Sequence, residues 1–182
     1  MINILFALLN ILWNNDNLIY WSETQKLQFE DFKKQAPNNP PYNGISTTSF
    51  QFLYDYDADS LYIKTFSFFV KNESWLFQKD SATLIHEQGH FDITEIYCRK
   101  FRQKLEILYQ HGANELDVKS QIDSLYKLCY NDCLLQQDSY DDAVKESIYG
   151  EKQAYWNQQI KMHLTEISSF RRTNQVFYLN KN

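Results

Sequence analysis

Glycine and proline are scarce in this chain of 182 residues, with four glycines and three prolines. Collagen-like repeats and loop-dominated β scaffolds need many more turn-forming residues, so both classes are excluded. Basic residues are also outnumbered, because 18 lysines and arginines face 23 aspartates and glutamates and the net charge is -5. Such a chain lacks the excess of cations that neutralises phosphates, and nucleic acid is therefore not an expected partner.

Cysteine is equally rare, and the three cysteines are Cys98, Cys129 and Cys133. Their spacing matches no zinc-finger pattern, and their odd number would leave one thiol unpaired in any disulfide scheme. We expect all three to be small buried side chains with free thiols. A disulfide from Cys98 to one of the other two is the alternative if the protein is exported.

The long apolar run of the chain is confined to residues 2–13 (INILFALLNILW). This run is too short to cross a bilayer, so no stable membrane span is expected. Its length suits a secretory signal, although no Lys or Arg precedes it and no A-x-A site follows it. We predict that residues 1–17 form a signal peptide or an N-terminal apolar segment and that the protein is periplasmic or secreted. A first buried helix in a cytoplasmic protein is the alternative, and residues 18–182 form a single domain either way.

The β-rich part of the sequence lies before residue 72. Residues 45–56 and 61–71 are rich in Phe, Tyr, Ile and Thr and flank a polar turn at 57–60, a pattern that predicts a hairpin. The second strand is a candidate sheet edge on which an extended substrate pairs through its main chain. An interior strand is the alternative.

Helical periodicity begins at residue 81. A first helix is predicted from Ser81, as N-cap, to about Tyr109, and a second from residue 115 to about Gln136. A third is predicted from residue 138 or 139 to about residue 168, with Gly150 inside it at a cost of about 1 kcal/mol. The fold class is therefore α+β, with an N-terminal antiparallel β-sheet followed by three helices.

The first helix carries a metal-binding motif, since residues 86–90 read His-Glu-Gln-Gly-His and match H-E-x-x-H. His86 and His90 lie one turn apart, where both imidazoles can reach one Zn²⁺, and Glu87 beside them is the candidate general base. Both histidines fall on the inward stripe of the helix, so packed core histidines are the alternative. Buried imidazole nitrogens need polar partners, however, and a metal ion supplies one.

A third ligand has to come from elsewhere in the chain. Glu95 lies about 140° around the helix from His90, on a side predicted to face solvent and to pair with Arg99. The predicted third helix offers acids on or near its inward face, and we favour Glu146, with Asp142 and Asp141 as alternatives. Tyr149 and Tyr140 are candidate oxyanion donors, although either could be a packed aromatic.

These motifs resemble those of a bacterial family of unknown function that is identified as predicted secreted zinc-dependent proteases. The similarity covers most of the chain beyond residue 18, and it lies at Trp21, residues 27–32, residues 74–75, residues 86–95 with Arg99, and residues 140–141 with Gln153 and Trp156. The resemblance implies a zincin-like fold and a zinc peptidase activity. In that family a histidine usually follows the Tyr-Asp pair by about six positions; Glu146 stands there in this chain, and a carboxylate is also a zinc ligand.

The sequence therefore predicts a zinc-dependent metallopeptidase that acts on peptides or proteins through metal-activated water and a glutamate base. One alternative is a non-catalytic zinc-binding envelope protein, in which a fourth protein ligand would close the metal shell. The other is a metal-dependent hydrolase that cleaves a non-peptide bond.

Overall fold

Antiparallel strands in the N-terminal half followed by helices make this an α+β fold, as predicted. The computed structural model describes residues 16–57, 59–110, 118–145 and 150–178. Its strands and helices, in chain order, are β1 (Leu18–Tyr20), β2 (Gly44–Ile45), β3 (Thr48–Tyr56), β4 (Ser60–Val70), β5 (Trp75–Leu76), α1 (Ser81–Gln110), α2 (Val118–Val144), α3 (Glu151–Glu166) and β6 (Asn174–Tyr178). The predicted signal or apolar segment, residues 1–17, lies almost wholly outside the described residues. No described helix combines the length and the apolarity needed to cross a membrane.

Strand β4 is the centre of the main sheet. It pairs along one edge with β3, which confirms the predicted hairpin, and along the other edge with β1 and β6. The prediction that this strand is a sheet edge is therefore wrong, because both of its edges carry partners. In the described part of the chain, the strand of the main sheet that is paired along one edge only and lines the same cavity as the histidine motif is β3. A separate two-stranded ribbon joins β2 and β5.

The core lies between this sheet and helix α1. Leu61 and Ile63 of β4 belong to one core cluster with Ile93 and Phe101 of α1. Complete burial of such side chains contributes about 1.5–3 kcal/mol each. Tyr62, between Leu61 and Ile63, is exposed, whereas residues 65–69 of the same strand are all buried. Helix α1 begins where predicted, but its N-cap is Asp80, whose Oδ1 accepts the N–H of Thr83 at 2.8 Å.

The boundary between the second and third helices differs from the prediction. Helix α2 continues without a break through Asp138 and Ser139 to Val144, and α3 begins only after Gly150, which is its extended N-cap (φ -91°, ψ 179°). The reason is local, because residues 118–145 contain neither Gly nor Pro to end a helix. Tyr140 and Asp141 consequently belong to α2.

The polar side of α1 is buried, which is a second departure from the sequence prediction. Glu95, Arg99 and Arg102 are 3%, 1% and 1% exposed, although this side was expected to face solvent. The predicted Glu95–Arg99 pair does form, at 2.9 Å, but it is covered by the sheet: Ser67 of β4 donates to Glu95 at 2.6 Å. Helix α1 is packed on both sides, so its polar stripe does not mark a surface.

The three cysteines are buried and free, which confirms the expectation for them. Cys98 lies in α1 beneath the sheet, and Cys129 and Cys133 lie one turn apart on α2. They contribute to the core as small apolar side chains.

Candidate metal centre

Two imidazoles and one carboxylate converge where α1 meets α2. The Nε2 atoms of His86 and His90 lie 3.2 Å apart. Oδ1 of Asp141, on α2, is 3.2 Å from Nε2 of His86 and 2.9 Å from Nε2 of His90. These three residues form a group that could hold a metal ion.

The structure places the candidate third ligands differently. Asp141, the last-ranked alternative of the sequence analysis, is the acid that reaches the histidines. The side chain of Asp142 is 79% exposed and lies 3.6 Å from the Lys145 ammonium. The favoured residue, Glu146, and the candidate oxyanion donor Tyr149 lie outside the described residues. Glu95 is held by two arginines and is not a member of the group.

The separations of the three ligand atoms suit a small tetrahedral ion. Bonds of about 2.0–2.2 Å at tetrahedral angles place neighbouring ligand atoms about 3.3–3.6 Å apart. The observed separations of 3.2, 3.2 and 2.9 Å are close to the lower end of that range. The three atoms therefore fit one face of a tetrahedron, which leaves its fourth corner to another ligand.

Two glutamine amides fix the orientation of the histidine rings. Nδ1 of His86 bonds to Oε1 of Gln153 at 3.1 Å, and Nδ1 of His90 bonds to Oε1 of Gln137. The amide nitrogens point elsewhere: Gln137 donates to the His90 carbonyl at 3.0 Å, and Gln153 donates to Asn157 at 2.7 Å. Because the amide oxygens face the rings, both Nδ1 atoms carry the proton and both Nε2 atoms present a lone pair.

The group thus contains three electron-pair donors facing one another. Burial alone would raise the pKa of Asp141, but the neighbouring His86 and His90 lower it well below its usual range, so the carboxylate is ionised. Two lone pairs and an anionic oxygen at this separation repel unless a cation lies among them. A single proton can bridge only two of these three atoms, whereas a metal ion can accept an electron pair from each of them.

Tyr140 supports the histidines from the side away from the cavity. Its ring stacks on that of His86, with centroids 4.7 Å apart, and its hydroxyl donates to the His86 carbonyl at 3.3 Å. The same hydroxyl accepts from the Gln153 amide, and the side chain is fully buried. This arrangement gives Tyr140 a positioning role and does not support the oxyanion role that the sequence suggested.

A cavity of about 760 Å³ opens beside the three ligand residues, and Glu87 lies in its wall. The Glu87 side chain is packed so closely under β2 that a Cβ added to Gly44 would come within 2.6 Å of Oε1. Its other oxygen, Oε2, has no hydrogen-bond partner among the described residues. Burial raises the pKa of Glu87, against the opposing effect of the nearby His90 and His86. A desolvated carboxylate, with one oxygen that lacks a hydrogen-bond partner among the described residues, thus lines the same cavity as His86, His90 and Asp141, the metal group.

Sequence reasoning missed some residues of this centre. Gln137 was not singled out, although it precedes Asp141 by one helical turn, the spacing that places both on one face. Thr83 was also missed; it lies one turn before Glu87, lines the same cavity and has a buried hydroxyl without a partner among the described residues. Gln153 was named in the family resemblance but not as a support for His86.

Comparisons with known proteins do not assign this chain to a family. No protein-family model matches it, and no curated protein and no solved structure matches it significantly. The resemblance drawn from the motifs therefore stays a prediction. Function is therefore inferred from the geometry of His86, His90, Asp141 and Glu87.

Proposed function

We propose that the protein is a zinc-dependent metallopeptidase in which His86, His90 and Asp141 hold Zn²⁺ and Glu87 is the general base. The observation that carries the proposal is the convergence of three ligand atoms, each within 3.2 Å of the others, in the wall of a cavity that Glu87 also lines. Two neutral imidazoles and a carboxylate are a common ligand set for catalytic zinc. Ring N–H groups bonded to amide oxygens are the supporting contacts that metal-binding histidines need.

The chemistry follows from the position of Glu87. Zinc held at this group would supply the Lewis acidity that activates water and polarises a carbonyl. Glu87 accepts a proton from the attacking water while the water oxygen adds to the scissile carbonyl carbon. It then delivers that proton to the leaving amine nitrogen. A pKa raised by burial suits a carboxylate that both accepts and donates a proton.

Strand β3 offers an edge for an extended substrate. Successive residues of a strand direct their backbone N–H and C=O groups to alternate edges. The Thr47 carbonyl accepts from the Val70 N–H of β4, so the backbone groups of Thr48 and Phe50 point to the opposite edge. The Phe50 carbonyl there accepts from the Tyr126 hydroxyl at 2.9 Å. The accessible part of the edge is therefore at Thr48, which lines the cavity together with His90. A peptide paired there lies beside the metal group.

A comparison of the wild type with Glu87→Gln tests the proposal. Elemental analysis should give about one zinc per chain for both proteins, because Glu87 is not a ligand. Mass spectrometry of a peptide library should show cleavage by the wild type and a loss of about 10²- to 10⁴-fold in the variant. Glu151→Gln, at the exposed start of α3, is the matched control and should cleave like the wild type.

The results separate the alternatives. Undiminished cleavage by Glu87→Gln would remove Glu87 from the mechanism. A wild type that holds zinc with four protein ligands by X-ray absorption and cleaves no peptide would support the structural zinc protein. An inert wild type with three protein ligands would instead support a hydrolase of non-peptide bonds.

A further inference from the structure

Helix α2 forms one wall of the cavity beside His86, His90 and Asp141. Four of the α2 residues that line it are Tyr130, Leu134, Gln137 and Asp141, whose spacing of three or four residues places them on one face. At 1.5 Å per residue, the wall from Tyr130 to Asp141 is about 16 Å long. An extended peptide of about five residues has the same length.

The two ends of this wall differ in charge. The charged residues that line the cavity are at the metal group or at the C-terminal end of α2, and they are Glu87, Asp141, Asp142 and Lys145. At the other end the lining residues are uncharged, and they include Phe50, Tyr130 and Leu134. A charged group brought there would lose hydration without gaining a partner.

The rim of the cavity also exposes apolar surface, at the uncharged end through Leu134 and beside Glu87 through the residues that flank Gly44. Leu134 is 49% exposed, and two residues on the β2 side of the same cavity, Tyr42 and Ile45, are 60% and 39% exposed. Apolar side chains left open around a concave site are typical of a ligand pocket for an apolar group.

The distance to the metal group suits the side chain of a neighbouring substrate residue. Gln137, whose side chain bonds to the His90 ring, lies three residues after Leu134 on α2. The apolar end of the cavity therefore begins about 5 Å along the helix from Gln137. We infer that the Phe50–Tyr130–Leu134 end of the cavity is a subsite for a bulky apolar side chain next to the scissile bond. The substrates are then peptides with a leucine- or phenylalanine-like residue at that position. This inference rests on the proposed function for the identity of the reacting bond.

Three hydroxamates test the subsite without the need for a known substrate. Acetohydroxamic acid probes the metal alone, whereas hexanohydroxamic acid and 5-aminopentanohydroxamic acid add tails of equal length that differ in whether the last atom is a methyl carbon or an ammonium nitrogen. In calorimetric titrations of the zinc-loaded protein, the hexanoyl compound should bind about 10- to 100-fold more tightly than the amino compound.

Two neighbouring leucines provide matched variants. Leu134→Glu places a carboxylate in the subsite and should reverse the preference in favour of the amino compound. Leu135 is 65% exposed and is not a lining residue, so Leu135→Glu should keep the preference of the wild type. Equal affinities of the two long compounds for the wild type, or an unchanged preference in Leu134→Glu, would overturn the inference.

The same experiment distinguishes failure of the proposed function from failure of the subsite. A protein without zinc that binds no acetohydroxamic acid would overturn the metallopeptidase proposal. In that case the subsite is tested in the zinc-free protein, by measuring the change in the methyl chemical shifts of Leu134 when each long compound is added. A response to hexanohydroxamic acid alone supports it, and equal or absent responses to the two long compounds overturn it.

Discussion

Tyr140 crosses α1 directly over Gly89, the fourth residue of the histidine motif. A Cβ at position 89 would overlap the Tyr140 hydroxyl and ring. Because Tyr140 precedes Asp141 on α2, this close approach also sets the position of the carboxylate against His86 and His90. The glycine therefore links the geometry of the motif to the position of the Asp141 carboxylate.

We predict that Gly89→Ala destabilises the fold and weakens zinc binding. Alanine raises helix propensity by up to about 1 kcal/mol, but the overpacking against Tyr140 costs about 1–3 kcal/mol and displaces α2. Urea unfolding and competition with a zinc chelator measure the two effects. The double variant Gly89→Ala/Tyr140→Phe lacks the hydroxyl nearest to the added Cβ, so it should recover part of the lost stability and part of the lost zinc affinity. No recovery of either would argue against this contact as the cause.

The third ligand can be assigned with adjacent acids. Asp141→Asn should lower zinc affinity at least 100-fold, because it removes the anionic donor from the three-ligand set. Asp142→Asn should remain within about threefold of the wild type, since its side chain pairs with Lys145 at the surface. If Glu146→Gln lowers the affinity while Asp141→Asn does not, the choice made from the sequence is right and Asp141 is not a ligand.

The supporting glutamines should matter for metal affinity although neither is a ligand. Gln137→Leu removes the acceptor of the His90 Nδ1–H group, and the loss of such a contact typically costs 10- to 100-fold in affinity. Its neighbour Gln136 accepts only a long bond of 3.4 Å from Tyr97, so Gln136→Leu is the matched control. Similar affinities in the two variants would show that the ring orientation is held by other contacts.

The patterns that sequence reasoning interpreted correctly are local ones. The hairpin of β3 and β4 and the start of α1 follow from residues close together in the chain, and so does the pairing of His86 with His90. The rest depends on packing between distant elements. The helical wheel identified the polar side of α1 that contains Glu95, but it could not show that the sheet covers that side.

The third ligand illustrates the same limit. Its position depends on where α2 ends, and the absence of Gly and Pro from residues 118–145 was a usable signal for a helix that continues past Asp141. Which acid then meets the histidines is set by the contact between Gly89 and Tyr140. That contact joins residues 51 positions apart, so no short sequence pattern contains it.

The buried thiols predict how the protein reacts with alkylating reagents. Burial raises the pKa of both Cys129 and Cys133 to about 11, and it raises that of Cys98 further. At pH 8 the folded protein should therefore resist iodoacetamide, and three thiols should react once denaturant is added. The stabilisation from keeping these thiols neutral is complete below their unfolded pKa of about 8.5 and is lost as the pH rises through about 11. Recovery of one reactive thiol after denaturation would reveal a disulfide instead.

The ion cluster beneath the sheet gives the largest expected effect on stability. Glu95 accepts from Arg99 at 2.9 Å and from Arg102 at 3.1 Å, and all three side chains are at most 4% exposed. Glu95→Gln would leave two buried guanidinium groups without this counterion, and breaking a buried pair in this way costs about 3–5 kcal/mol. Glu23 also contacts Arg99, at 3.4 Å, but its side chain is 53% exposed, so Glu23→Gln should cost less than about 1 kcal/mol. Urea unfolding of both variants measures the difference, and a loss below about 1 kcal/mol for Glu95→Gln would mean that the pair behaves as the surface pair expected from the sequence.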